Sequence, residues 1–339
     1  MLTERENMEI CWNHEEPEWV PMINTAAQMI VTPEINDRPL FMDGEDWSGL
    51  PWELDKEHPN LMTHVKPGCE RFDDITAWRD YLQFPDYRGT LDWKAMGDRT
   101  RAMWQKRDEL QGYYVGNMGG FERICAEMGH VTGLMAPYDD EEAYADYVNA
   151  YADWRISLFE PMKEHLGIDF VMMHDDWGNQ TSMFLTPEQW RQFYKEPERR
   201  MAAACHELGI HYMHHSCGYI TPIVGDLVEI GVDSWHSVQP MNDLKMLKET
   251  YGDRIIFAGA VSPAVTDRED STEEEIRAEV RRVIDDLGRG GGLMASSAVM
   301  FSVMPKVDEI VDDEGKKYGN YAALNAANNW TTRDTKVFA

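Results

Sequence analysis

The second half of this 339-residue chain predicts a (β/α)8 TIM barrel. From about residue 168 onward, short apolar runs alternate with capped helical stretches, the pattern of parallel strands joined by helices. Residues able to do chemistry recur at the same end of successive runs, which is where such a barrel gathers its reactive groups. An open doubly wound sheet is the alternative, and no Gly-x-Gly-x-x-Gly follows the first candidate strand.

Along the chain, 19–25 (WVPMINT) is the first candidate strand and 112–118 (GYYVGNM) a later one. Between them a polar stretch bearing Pro and Trp, about 33–90, follows neither period. A long helix covers about 139–166 and is acidic at its start, as the helix dipole favours. Residues 168–174 (IDFVMMH) form a strand, and Thr186-Pro187-Glu188 opens a helix to about Leu208. The strand 210–216 precedes a helix from Thr221-Pro222 to about Glu229. The strand 232–238 precedes a helix at roughly 242–250. After the strand 254–260, Ser271-Thr272-Glu273-Glu274-Glu275 caps a helix to about Leu287. Gly-rich 290–297 then leads into a final helix near 305–317. No linker rich in Gly, Ser or Pro interrupts the series. The expectation is one domain, 1–339, with an irregular N-terminal region over about 1–110, a size that barrels with insertions reach.

Composition excludes several classes of function. A net charge of −29 argues against nucleic acid, whose phosphates need clustered Lys and Arg. It argues equally against a substrate with many carboxylates, unless a local basic pocket exists. There is no run of eighteen apolar residues and no basic, apolar leader, so neither a membrane span nor a secretory signal is expected. Cys11, Cys69, Cys125, Cys205 and Cys217 are odd in number and scattered, without a Cys-x-x-Cys, which fits a reducing cytoplasm. The 22 Met and 12 Trp suit irregular core filling or a wide aromatic cavity.

The candidate reactive residues come from the strand ends. On an extended strand His215 and Cys217 share a face, and Gly218 lets the chain turn away behind them. An imidazole and a thiolate that close are natural zinc ligands, and equally a buried core His and Cys. Tetrahedral zinc needs at least one further ligand that the triplet His215-Ser216-Cys217 does not supply. His174-Asp175-Asp176 closes the preceding strand. Asp175 and Asp176 are the candidate catalytic carboxylates, as general acid or base or as an oxygen ligand, and each could instead cap a helix or form a turn. His174, Gln180 and His236 are the candidates for substrate contact. His214 should face the outer helices, and His211 shares the inward face but sits deeper.

With these residues in place, the chain resembles the uroporphyrinogen decarboxylase superfamily. The matching stretches are GGFER at 119–123, HDDWGNQ at 174–180 with LTPEQWRQF behind it, HHSCGYITPIVGDLVEIGVDSWHSVQP at 214–240, YGDRIIFAGAVS at 251–262 and GGLMASSA at 291–298. The resemblance implies a (β/α)8 barrel, and either a porphyrinogen decarboxylase or a corrinoid-dependent methyltransferase. The decarboxylases carry an Arg-rich segment after the first strand, where this chain reads VPMINTAAQMIVTPE at 20–34 without an Arg. The methyltransferases carry a zinc site whose His-x-Cys matches His215 and Cys217. The coenzyme M branch adds a Cys near the last barrel strand, where this chain has Ala295-Ser296-Ser297-Ala298, and Asp176 could complete the site instead. The resemblance therefore implies a cytoplasmic O-demethylase methyltransferase, with zinc and with a corrinoid carried by a partner protein, acting on a methoxylated compound. A decarboxylase without metal and a non-catalytic corrinoid- or small-molecule-binding barrel are the alternatives.

Overall fold

The computed structural model describes residues 2–30, 32–39, 42–56, 63–103, 109–115, 118–297 and 306–328. Its strands are β1 (Ala27–Ile30), β2 (Gly44–Glu45), β3 (Pro51–Leu54), β4 (Thr63–Val65), β5 (Leu110–Val115), β6 (Phe170–His174), β7 (His211–His215), β8 (Ser234–Val238), β9 (Ile256–Val261) and β10 (Leu293–Ser297). The chain forms two compact units. One is drawn from Met1–Gln28, Lys106–Leu110 and Asp233–Ala339, the other from Met29–Gln105 and Gln111–Val232.

In the Asp233–Ala339 unit, β8, β9 and β10 stand in chain order along the sheet. They pair in parallel, with Ser234 opposite Ile256 and Leu293 opposite Phe257. The helices Leu244–Tyr251 and Glu273–Leu287 return the chain between them. The second of these starts on a capping box in which Thr272 and Glu275 satisfy each other's backbone N–H. The first expected strand is displaced. Ile23–Ala26 is a helical turn and the regular strand is β1, but Met22 still bridges in parallel to Ala295 on β10. Pro21 and Met22 thus bring the start of the chain beside its last strand, where the Ala295 N–H donates to Pro21 O.

In the other unit β5, from Gln111 on, β6 and β7 stand in that order, with Gly112 opposite Phe170 and His174 opposite His215. All five residues of β6 are buried, so it reads as a continuous apolar run rather than an alternating one, as a strand covered on both faces must. The expected helix from 186 is two helices, Pro187–Phe193 and Lys195–Glu207, parted at Tyr194. The long helix Glu141–Pro161 begins at the N-cap Asp140 and buries Tyr144, Tyr147, Val148, Tyr151 and Leu158 at helical spacing. The stretch without a readable period contains a three-stranded antiparallel sheet, β2-β3-β4. Its strands are two to four residues long, too short for alternation to register. Among the described residues no helix is long and apolar enough to cross a membrane.

Buried charge ties this small sheet to the helix Gly120–Met128. Arg123, fully buried, donates to Asp46 Oδ2 at 2.6 Å, to Glu127 Oε1 at 3.2 Å and to Asp37 O at 2.6 Å. Its guanidinium also lies 4.6 Å from the Trp47 ring centroid. Asp46 in turn accepts from Trp52 Nε1 at 2.8 Å and from the Ser48 N–H at 2.8 Å. Arg155 pairs with Asp37 and donates to Tyr151 Oη at 2.8 Å. Truncating one member of such a network strands its buried partners. Arg123→Met should therefore lower unfolding free energy by about 3–5 kcal/mol, read as a fall in the urea midpoint.

A second ion cluster joins the helix pair to the helix Val224–Glu229. Asp226 accepts from Arg191 Nε at 3.0 Å and from Lys195 Nζ at 2.8 Å. Burial alone would raise the Asp226 pKa, but the two cations outweigh it and hold it below the ordinary aspartate value. A depressed folded pKa contributes stability above the unfolded value near 4 and loses it as pH falls through the folded value. Asp226→Asn should cost about 1 kcal/mol at pH 7, since the partner cations are partly exposed. The gap from wild type should close as the pH is lowered below the folded value, checked by urea titrations across the acid range.

Candidate active site

The site is built where β6 and β7 end. Their register sets His174 beside His215, and the two imidazoles stack with centroids 4.1 Å apart and planes 12° apart. Past the strand ends the loops lie backbone to backbone. The Tyr219 N–H donates to Asn179 O at 2.8 Å, and the Asp175 N–H donates to His215 O at 3.0 Å. A Cβ on Gly178 would come within 2.6 Å of Tyr219 O, and Gly218, at φ +79°, would collide with Gly178. Glycine is required at both places for this approach.

The turn brings four of the expected residues together. His174, Asp176 and His215 each offer a ligand atom within 4.8 Å of the others. Cys217 Sγ lies 3.3 Å from His215 Nε2, and the Cys217 N–H donates to Asp176 Oδ1 at 2.7 Å. Asp176 Oδ1 is also 3.5 Å from His215 Nε2. Two imidazoles, a carboxylate and a thiol form a donor set that suits zinc.

Asp175 is turned elsewhere. Its carboxylate accepts from the Phe121 N–H at 3.0 Å, the Glu122 N–H at 2.9 Å and Trp177 Nε1 at 3.1 Å. It caps the start of the helix Gly120–Met128, so the capping alternative describes this residue. Burial pushes its pKa well above the usual carboxylate range, Glu122 adds to the effect, and the two backbone donors work against it. His214 stacks on Trp177 at 3.9 Å and meets Glu198 of the outer helix at 3.3 Å, as expected of an outward residue. Gln180 is exposed on the loop. His236 is buried on β8 in the other unit, and so is Ser296 on β10. Ala298 lies outside the described residues.

Glu122 is the residue that strand-end reasoning missed. Its Oε2 lies 2.7 Å from His174 Nδ1. Burial works against protonation of His174, but Glu122 and then Asp176 outweigh it and raise the His174 pKa above its ordinary value. Burial raises the Glu122 pKa in turn, partly opposed by His174. Only its place in GGFER could have drawn attention to Glu122.

A cavity of about 380 Å³ adjoins the cluster, with Glu122 and Asp176 in its wall. Trp52, Val65, Met118, Phe121, Ala126 and Phe184 are among its apolar lining residues, with Phe121 and Phe184 stacked at 5.6 Å. Arg38 is the Arg or Lys among its described lining residues. Arg71, Arg79 and Arg123 are engaged with Glu127, Asp146 and Asp46 respectively.

The family's model, described as uroporphyrinogen decarboxylase (URO-D), matches residues 121–309, and the chain belongs to that family. A curated uroporphyrinogen decarboxylase from Thioalkalivibrio sulfidiphilus (strain HL-EbGR7) is 25% identical over 177 residues. That match covers 49% of this chain and 45% of the relative, so it spans less than half the relative's length. A solved methyltransferase from Methanosarcina mazei aligns with a TM-score of 0.68 at 15% identity, covering 94% of this chain and 99% of that one. Together with the strand–helix series, these findings establish the (β/α)8 barrel class expected above.

Gly119 tests how tightly the site is fixed. A Cβ there would overlap the Asp175 side chain, whereas one on Gly120 would make an ordinary 3.4 Å contact with Tyr151 Cδ1. Gly119→Ala should destabilise by about 1–3 kcal/mol through overpacking. Gly120→Ala should be neutral or mildly stabilising, and thermal unfolding of the two variants checks the contrast.

Proposed function

We propose that this protein is a methyltransferase that moves the methyl group of a methoxylated compound, aromatic ethers included, to the cobalt of a corrinoid carried by a partner protein. The observation that carries this reading is a thiol–imidazole–carboxylate cluster bordering a cavity walled by aromatic rings. His215 and Cys217 would hold zinc, which when bound supplies Lewis acidity toward the ether oxygen. The chain's own residues do the remainder. Trp52, Phe121 and Phe184 pack against the ring of the substrate and keep water from it. Asp176 stands in the cavity wall, and it delivers a proton to the departing oxygen. Asp175 supports this indirectly by fixing the helix that carries Phe121.

The family's name favours a decarboxylase of a highly acidic porphyrinogen, but the charge count in the cavity does not. Several desolvated carboxylates need several cations. Among the described lining residues Arg38 is the Arg or Lys, His64 and His130 are the other groups able to carry positive charge, and Glu122 and Asp176 add negative charge.

Protein supplied with zinc should methylate reduced cobalamin or a cobalt(I) corrinoid protein when given methoxyarenes, seen as the methyl–cobalt absorption spectrum. Asp176→Asn should keep the fold and lose about 10²–10⁴ in rate. Absence of methylation across aromatic and aliphatic methyl donors, with reduced cobalt verified, would overturn the reading.

A further inference from the structure

We infer that His174 is the third protein ligand of the metal site, that Glu122 is the positioning residue holding it, and that Asp176 stands outside the ligand set. The inference rests on the zinc reading above and deepens it. A catalytic zinc site takes three protein ligands and keeps one position for substrate. His215 and Cys217 supply two, so His174 and Asp176 compete for the third place.

The geometry separates them. His174 is buried and its Nδ1 lies 2.7 Å from Glu122 Oε2. A carboxylate on one ring nitrogen is the arrangement that fixes the tautomer of a metal-binding histidine and turns the other nitrogen toward the metal. His174 and His215 stand on neighbouring strands with their rings face to face, and each offers a ligand nitrogen within 4.8 Å of the other's. Asp176 has a side chain 30% exposed, and its Oδ1 already accepts the Cys217 N–H at 2.7 Å. That bond orients the carboxyl group and competes with coordination through the same oxygen.

Glu122 is itself held from several sides. Its backbone N–H donates to Asp175, so adjacent residues of one strand end grip it twice, His174 through the side chain and Asp175 through the backbone. Tyr147 donates to Gly120 O at 2.7 Å and Tyr151 to Met118 O at 2.6 Å, anchoring the turn just before it. Such rigidity is what a positioning residue requires.

Metal affinity measured with zinc and a competing chromophoric chelator tests this without reference to turnover. Glu122→Gln should bind zinc about 10–100-fold more weakly than wild type. His174→Ala should lose at least as much and recover part of it with added imidazole, while Asp176→Asn keeps wild-type affinity. Thermal unfolding of each metal-free variant shows whether it is folded, and Glu122→Gln, the least disruptive change, carries the test if His174→Ala is not. Wild-type affinity in Glu122→Gln or His174→Ala would overturn the inference, as would an Asp176→Asn loss equal to that of His174→Ala. A wild-type protein that binds no zinc would overturn it together with the zinc reading. Zinc bound with the expected losses, but without methyl transfer, would support this inference and sink the methyltransferase.

Discussion

The site depends first on one buried carboxylate. Asp175 accepts two backbone N–H groups at the start of the helix Gly120–Met128 and the indole N–H of Trp177. A buried carboxylate is costly unless its oxygens are satisfied, and here three donors converge on it. The same bonds fix where the strand end, the helix start and the Trp177 loop stand relative to one another. His174, Glu122 and Phe121 each neighbour a member of this junction, so the cluster and the cavity wall inherit its geometry.

A second constraint shapes the cavity from outside. Arg123 and Asp46 bind the short antiparallel sheet to the same helix, and Asp46 holds the Trp52 indole by its N–H. With that polar end occupied, the ring contributes an apolar surface to the cavity. Glu122 and Asp176 line the same cavity, together with Arg38, Thr63, His64 and His130.

Arg71, Arg79 and Arg123 are each engaged with a carboxylate of the chain itself. The net charge of −29 pointed the same way without showing which arginines were committed. Sulfur, nitrogen and oxygen donors gather at the ends of β6 and β7.

Much of the second half was legible because its signals are local. Capping residues such as Thr186 and Thr272, apolar runs such as IDFVMMH, and the two-residue spacing of His215 and Cys217 depend on neighbours a few positions away. Strand pleating alone puts those two side chains on one face. The first half was harder to read because its strands are short and its order comes from contacts distant in sequence. Arg123 reaches Asp46 and Asp37 across 77 and 86 residues. The roles of the two aspartates were also beyond the sequence. Asp175 and Asp176 are adjacent and chemically identical, and only the packing of a helix 53 residues earlier makes one a cap and leaves the other at the cavity. Glu122 has the same origin, since a partner of His174 that distant in sequence is selected by tertiary contact and by no local pattern.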